Sequence, residues 1–194
     1  ITTEVCKSYY ENNKKLAKNL VAEVKKNIAK IEKRTSKKWY SKENPLLVSV
    51  RSGAALSMPG MMDTILNLGL NDDTVEGLAK KSNNPRFAWD SYRRFVQLFG
   101  KVVFGVEDKK FDEILENAKI NQAVQADSAL NEKSLKTVVS EYKKICEKHT
   151  GVKFPSDPSE QLELAIKAVF GSWMGERAIV YREKNNITKD IADG

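Results

Sequence analysis

The chain has 194 residues, of which 41% are hydrophobic and 30% charged, with a formal net charge of +7. That length fits one domain, or one with a smaller satellite, and can bury a sizeable core; no apolar run reaches the ~18 residues of a membrane span. Two distant cysteines and one histidine, with no Cys/His cluster, argue against a zinc site and suit a reducing, cytoplasmic compartment.

The charge is unevenly placed. Residues 1–44 hold 12 Lys/Arg against 5 Asp/Glu, whereas residues 45–194 hold 21 of each. The excess is mostly lysine, without interleaved aromatics on which bases could stack. It reads first as a solvated helix face and second as a polyanion patch, the mark of a basic helical nucleic-acid-binding module. The chain starts at Ile1 without an initiator Met or a charged-then-apolar leader, which suggests a piece of a longer, unsecreted protein.

In chain order, Thr2-Thr3-Glu4 can cap a first helix carrying Val5, Cys6, Tyr9 and Tyr10, and Asn12-Asn13 can break it. Apolar positions Leu16, Leu20, Val21, Val24, Ile28 and Ile31 predict a helix from about Lys14 to Arg34, with Trp39 and Tyr40 sealing the following loop. Residues 46–50 (LLVSV) and 65–70 (ILNLGL) read as two short strands. Asn71-Asp72-Asp73 can cap a helix bearing Val75 and Leu78. Asn83-Asn84-Pro85 opens another, about 85–104, burying Phe87, Tyr92, Phe95, Val96, Phe99 and Val103. There Arg93 and Arg94 point about 100° apart, so at most one faces the strand loop and surface ion pairs are the simpler reading. A short helix is expected over 108–118, a mobile connector over 119–130, and a helix from Asn131 to about Lys148 ending at Gly151. Asp157-Pro158 opens a helix with Leu162, Ile166, Val169, Phe170 and Trp173 inward, and residues 176–184 follow with Arg177 and Arg182.

This pattern predicts a mainly α fold with a small β component (α+β). One strand pair carries few hydrogen bonds by itself, so its sheet partners are expected outside this sequence. The expected division is residues 1–71, a helical subdomain at 72–155, and a return to the first unit at 156–194.

The loop between the strands holds Arg51, Ser52, Gly53, Pro59, Gly60, Asp63 and Thr64. Small residues let backbone N–H groups approach an oxyanion, and a guanidinium adds a bidentate clamp, so the loop could be an anion cradle. A tight turn explains the same residues equally well. No serine lies near a histidine, His149 reads as a helix C-terminal cap, and neither GxxxxGK[ST] nor GxGxxG occurs. No catalytic residue is therefore expected within the chain.

Longer stretches decide between these readings. VRSGAALSMPGMMDTILNLGLND (50–72) closely resembles the phosphate-binding segment of the pyruvate, phosphate dikinases. NPRFAWDSYRRFVQLFG (84–100), KAVFGSW (167–173) and RAIVYR (177–182) look like the same family. The likeness covers essentially the whole chain, more loosely in the lysine-rich helix and over 105–155. The related pyruvate, water dikinases have a Ser-Ser-Ala type continuation after the arginine, which SMPGMMDT does not match.

The resemblance implies part of an ATP-grasp nucleotide-binding domain. The family enzyme converts ATP, phosphate and pyruvate into AMP, pyrophosphate and phosphoenolpyruvate, through a phosphohistidine on a separate swivelling domain. By position, Arg51 would contact the ATP phosphates, and Gly60, Met61, Met62, Asp63 and Thr64 would form the loop over them. Ser52, Gly53, Arg177 and Arg182 are weaker candidates. The family's lysine loop would precede Ile1 and its acidic Mg²⁺ ligands would follow Gly194, so no metal ligand is expected in the chain. Implied partners are ATP and the phosphohistidine domain, within a homodimeric full-length enzyme, with neither nucleic acid nor membrane. The isolated piece is expected to be inactive.

Overall fold

The computed structural model describes residues 1, 3–52, 58 and 60–187. Among them are eight α-helices and two strands: α1 (Thr3–Glu11), α2 (Lys18–Thr35), β1 (Val48–Arg51), β2 (Thr64–Leu68), α3 (Thr74–Ser82), α4 (Pro85–Val102), α5 (Asp108–Gln122), α6 (Glu132–Thr150), α7 (Pro158–Ser172) and α8 (Glu176–Lys184). A single 3-10 turn, Asp127–Ala129, joins α5 to α6. The fold is mainly α with a small β component, as the apolar periodicity indicates.

α4 is the hub. It packs on α3, α6 and β2, with α5 closing over α6. Phe95 and Phe99 are fully buried, and with Phe104 and Phe154 they form a cluster of edge and tilted ring contacts. One continuous apolar core runs from Trp39 and Leu46, through Ile65 and Leu68 of the sheet, to Leu135 and Tyr142 of α6 and Leu162 of α7. Phe87 departs from the expected face: it lies in the first turn of α4, is 49% exposed, and Ala88 and Trp89 take the buried positions. Asn84 caps this helix by accepting a hydrogen bond from the Phe87 amide at 3.0 Å.

Arg93 and Arg94 both bind Asp90. Arg93, 4% exposed, sits 2.9 Å from Asp90 Oδ1 and also donates to Gln97 Oε1 at 3.1 Å. Arg94 is exposed and lies 3.2 Å from Asp90 Oδ2. Arg93 is thus a buried structural cation, not the surface charge that its sequence context suggests.

Helix boundaries shift where backbone conformation overrides periodicity. Asn13 and Lys14 both adopt left-handed φ (54° and 59°), so the break after α1 is real and α2 starts at Lys18, four residues later than expected. The weakly patterned 119–130 stretch is not a loose connector. α5 continues to Gln122, Arg86 donates to the carbonyls of Leu130 and Asp127, both at 2.9 Å, and Leu130 is fully buried. Polar bonds to backbone order this segment, and they leave no hydrophobic period in the sequence.

The strands pair antiparallel, with Val48 opposite Leu68, Val50 opposite Ile65 and Arg51 opposite Thr64. The register shifts between the first two pairs, where Asn67 takes φ +60°. This bulge lets Ile65 and Leu68 both face the core although they are three residues apart. Leu46 and Leu47 lie outside β1 because the Leu46 amide donates to Lys38 O at 2.7 Å. The second strand ends early because Gly69 adopts φ +104°, and a Cβ there would come within 2.8 Å of Leu46 O.

Tyr10 on α1 donates to Phe170 O at 2.7 Å, docking α1 on α7. A groove of about 610 Å³ separates α2 from α7, lined by Leu20, Val24, Ile28, Leu162 and Ile166. Trp39, itself buried, also lines it, whereas Tyr40 is 58% exposed and reaches Asp157 and Ser159 at the start of α7. Cys6 is half-buried on α1 and Cys146 fully buried on α6; both are free thiols. Burial pushes Cys6 up to about 11 and Cys146 up to about 12.

Candidate functional site

The site is built from the two strand ends and the junction between α7 and α8. Arg51, the last residue of β1, is exposed, and it makes no ion pair or hydrogen bond that occupies its guanidinium among the described residues. Ser52 follows, half-buried and engaged in a contact of its own. Gly53 and Pro59 lie outside the described residues. Thr64 stands opposite Arg51 across the ladder, so the 60–64 limb returns directly beside the arginine.

Gly60 turns with φ +72°, a conformation that disfavours any other residue. Met61 and Met62 are half-buried, and Met58 is 8% exposed, so the limb's sulfur side chains lean on the protein. The Asp63 amide donates to Ser172 Oγ at 3.3 Å, and Ser172 Oγ donates to Val169 O at 2.7 Å. Arg177, in the first turn of α8, places Nη2 3.0 Å from Asp63 Oδ1 and donates from Nη1 to Gly60 O at 3.4 Å.

Of the two distal arginines, then, Arg177 converges on the loop. Arg182 is 3% exposed: it donates to Trp173 O at 2.7 Å, and its guanidinium lies 4.1 Å above the Trp173 ring. Burial lowers its pKa from the ordinary arginine value. Its visible work is to fold the α7–α8 corner back on itself, and that corner presents Arg177.

Two residues outside the expected set support the site. Ser172 carries the loop's backbone, and Gln161, fully buried, ties the end of β2 to α7. Gln161 Oε1 accepts from the Gly69 amide at 3.1 Å, and its Nε2 donates to Leu70 O and Pro155 O at 3.0 and 2.9 Å. Ser172 lies within the KAVFGSW stretch already singled out. The signal for Gln161 is a lone amide on the apolar side of α7, where it breaks the stripe.

His149 is exposed in the last turn of α6. The described residues contain no group of three or more His, Cys, Asp or Glu placed to hold a metal ion. No helix among them is long and apolar enough to cross a membrane.

The strand end thus brings together a turn at Gly60 and an exposed arginine with no ion-pair partner among the described residues, an arrangement open to an anion. A family model matches residues 2–192, and the chain belongs to that family, the pyruvate phosphate dikinase AMP/ATP-binding domain. The chain is 55% identical over 194 residues to pyruvate, phosphate dikinase of Entamoeba histolytica, covering all of this chain and 22% of that protein. It is 52% identical over 188 residues to the chloroplastic pyruvate, phosphate dikinase of Mesembryanthemum crystallinum, covering 97% of this chain and 20% of that one. With the Clostridium symbiosum enzyme it shares 48% identity over 191 residues, 98% of this chain and 22% of the relative. The chain therefore spans about a fifth of the length of the curated relatives it matches. None of these matches supports the nucleic-acid reading of residues 1–44.

Proposed function

We propose that this chain supplies the phosphate-holding part of the ATP site of a pyruvate, phosphate dikinase. The observation that carries the reading is Arg51, an exposed guanidinium without an ion-pair partner among the described residues, at the strand end where the 60–64 limb returns. A cation placed there binds and orients a polyphosphate, and it meets the negative charge that moves between phosphate oxygens as a phosphoryl group leaves. Gly60 supports the role of the limb, since its turn keeps side-chain bulk off the backbone beside the arginine. Met61 and Met62 line the limb on the protein side, and Thr64 fixes its return.

ATP and phosphate would give AMP and pyrophosphate as one phosphoryl group passes to a histidine on another domain of the full-length enzyme, and from that histidine the group would go to pyruvate. The residues of this chain would bind and orient the nucleotide; the acceptor chemistry belongs elsewhere. Mg²⁺ does not fit the described residues: Asp63, the one carboxylate in the sequence from Arg51 to Thr64, is engaged by Arg177. Its ligands would come from outside this chain. We assign residues 72–155 the part of a helical subdomain that backs the site, with 1–71 and 156–194 forming the nucleotide side, in an ATP-grasp arrangement. Two free thiols support a reducing compartment, the cytoplasm, and the full-length enzyme is taken as a homodimer by family resemblance.

The test is Arg51→Ala in the full-length enzyme, with the ATP-driven phosphorylation of its histidine measured by rapid quench. Removing one charge-assisted donor from a phosphoryl-transfer site lowers the rate about 100-fold. An unchanged rate removes Arg51 from the site.

A further inference from the structure

We infer that Arg177 is a positioning residue that sets the Gly60–Thr64 limb by holding Asp63, and not a second cation presented to the nucleotide. The inference rests on reading Arg51 and the 60–64 limb as a phosphate site. Three observations carry it. First, one guanidinium spans two points of the limb, Asp63 Oδ1 at 3.0 Å and Gly60 O at 3.4 Å, which closes the turn between them. Second, Asp63 is held twice, by its side chain from the start of α8 and by its amide from Ser172 at the end of α7. Third, the charges of Asp63 and Arg177 cancel, so the pair adds no net charge beside the limb. Without Arg177, an uncompensated carboxylate would stand one residue from Thr64, which faces Arg51 across the ladder, and would repel an incoming phosphate.

The side chains of Arg177 and Asp63 are 64% and 27% exposed. A pair this open adds little to global stability. Its value lies in geometry, because a small displacement of a group that orients a reacting phosphate lowers rate far more than it lowers stability.

The experiment is a double-mutant cycle in the full-length enzyme: Asp63→Asn, Arg177→Met and the pair together, with Arg177→Lys as the conservative variant. KM and kcat for ATP are measured alongside the melting temperature. Each single change is expected to raise the KM for ATP about tenfold, and the pair is expected to do no worse than either alone, the signature of two groups acting as one. Arg177→Lys should recover part of the loss, while the melting temperature and the KM for pyruvate stay in place. A KM that falls or holds in Asp63→Asn while rising in Arg177→Met would make Arg177 a phosphate ligand and overturn the inference. Additive losses, or no loss in any variant, overturn it too. Arg51→Ala run in parallel separates the two levels: if it alone weakens ATP binding, only the role of Arg177 falls. If it has no effect, the phosphate-site reading falls with it.

Discussion

Between α3 and α6 the large buried side chains are almost all apolar, whereas the strand ends and the α7–α8 corner are tied by hydrogen bonds and ion pairs between residues far apart in sequence. Phe95, Phe99, Phe111 and Tyr142 cohere by contact alone. The loop side instead depends on Gln161 to Gly69, Ser172 to Asp63 and Arg177 to Asp63. Hydrophobic contact is non-directional and tolerates small slips. A hydrogen bond specifies which atom faces which, and an anion site needs that property of its backbone. The helical side is built for cohesion and the loop side for aim.

Breaking the polar exception inside the helical side should have the largest effect. Asp90→Asn leaves Arg93 buried without its carboxylate, at a cost of about 3 kcal/mol. Hydrogen exchange in the full-length protein should show α4 and α6 amides losing about 100-fold in protection at that cost, with the strands less affected. A loss confined to the strands would mean the two regions do not fold as separate layers of cohesion.

A smaller effect is expected at the clasp between the regions. Gln161→Leu keeps the volume but strands the Gly69 amide and two carbonyls, for about 2 kcal/mol. The loss of protection should concentrate in β1, β2 and the Gly69–Leu70 segment, and the KM for ATP should rise while α5 and α6 keep their exchange rates. Uniform loss across α4–α6 would erase the distinction between the two sides.

The smallest effect is expected on the lysine-rich face. Changing Lys25, Lys26 and Lys30 together to Gln should move stability by less than about 0.5 kcal/mol per site, since all three are exposed. The same variant should leave ATP kinetics unchanged. Filter binding to duplex DNA with a steep salt slope that the variant abolishes would restore the nucleic-acid reading.

Much of this division is legible in the sequence, but unevenly. The stripes of α4, α6 and α7 appear because burial imposes a 3.6-residue period, and Asn84, Asn131 and Asp157 announce their caps. The strand pair is visible, yet its ends are misplaced. The bulge at Asn67, the turn at Gly69 and the bond that draws Leu46 to Lys38 are all decided by tertiary contacts. The connector at 119–130 hides its order for the same reason, since Arg86 and Gln122 bind carbonyls and leave no periodic trace. Arg51 stands out beside its loop, and the family likeness singles it out further. The pairing of Arg177 with Asp63 spans 114 positions and has no local signature.

The close approach of α4 and α6 has one more consequence. At Gly100 a Cβ would lie 2.6 Å from the Phe111 ring and 2.7 Å from Cys146 Sγ, so the thiol is sealed by the absence of a side chain. Cys6 sits apart on α1, in a shallower setting. Cys146, fully buried and raised in its titration by that burial, reacts with an alkylating reagent only as fast as its helix opens, whereas half-buried Cys6 meets the reagent more readily. The chain therefore carries a chemical clock in Cys146 that times the parting of the helical core.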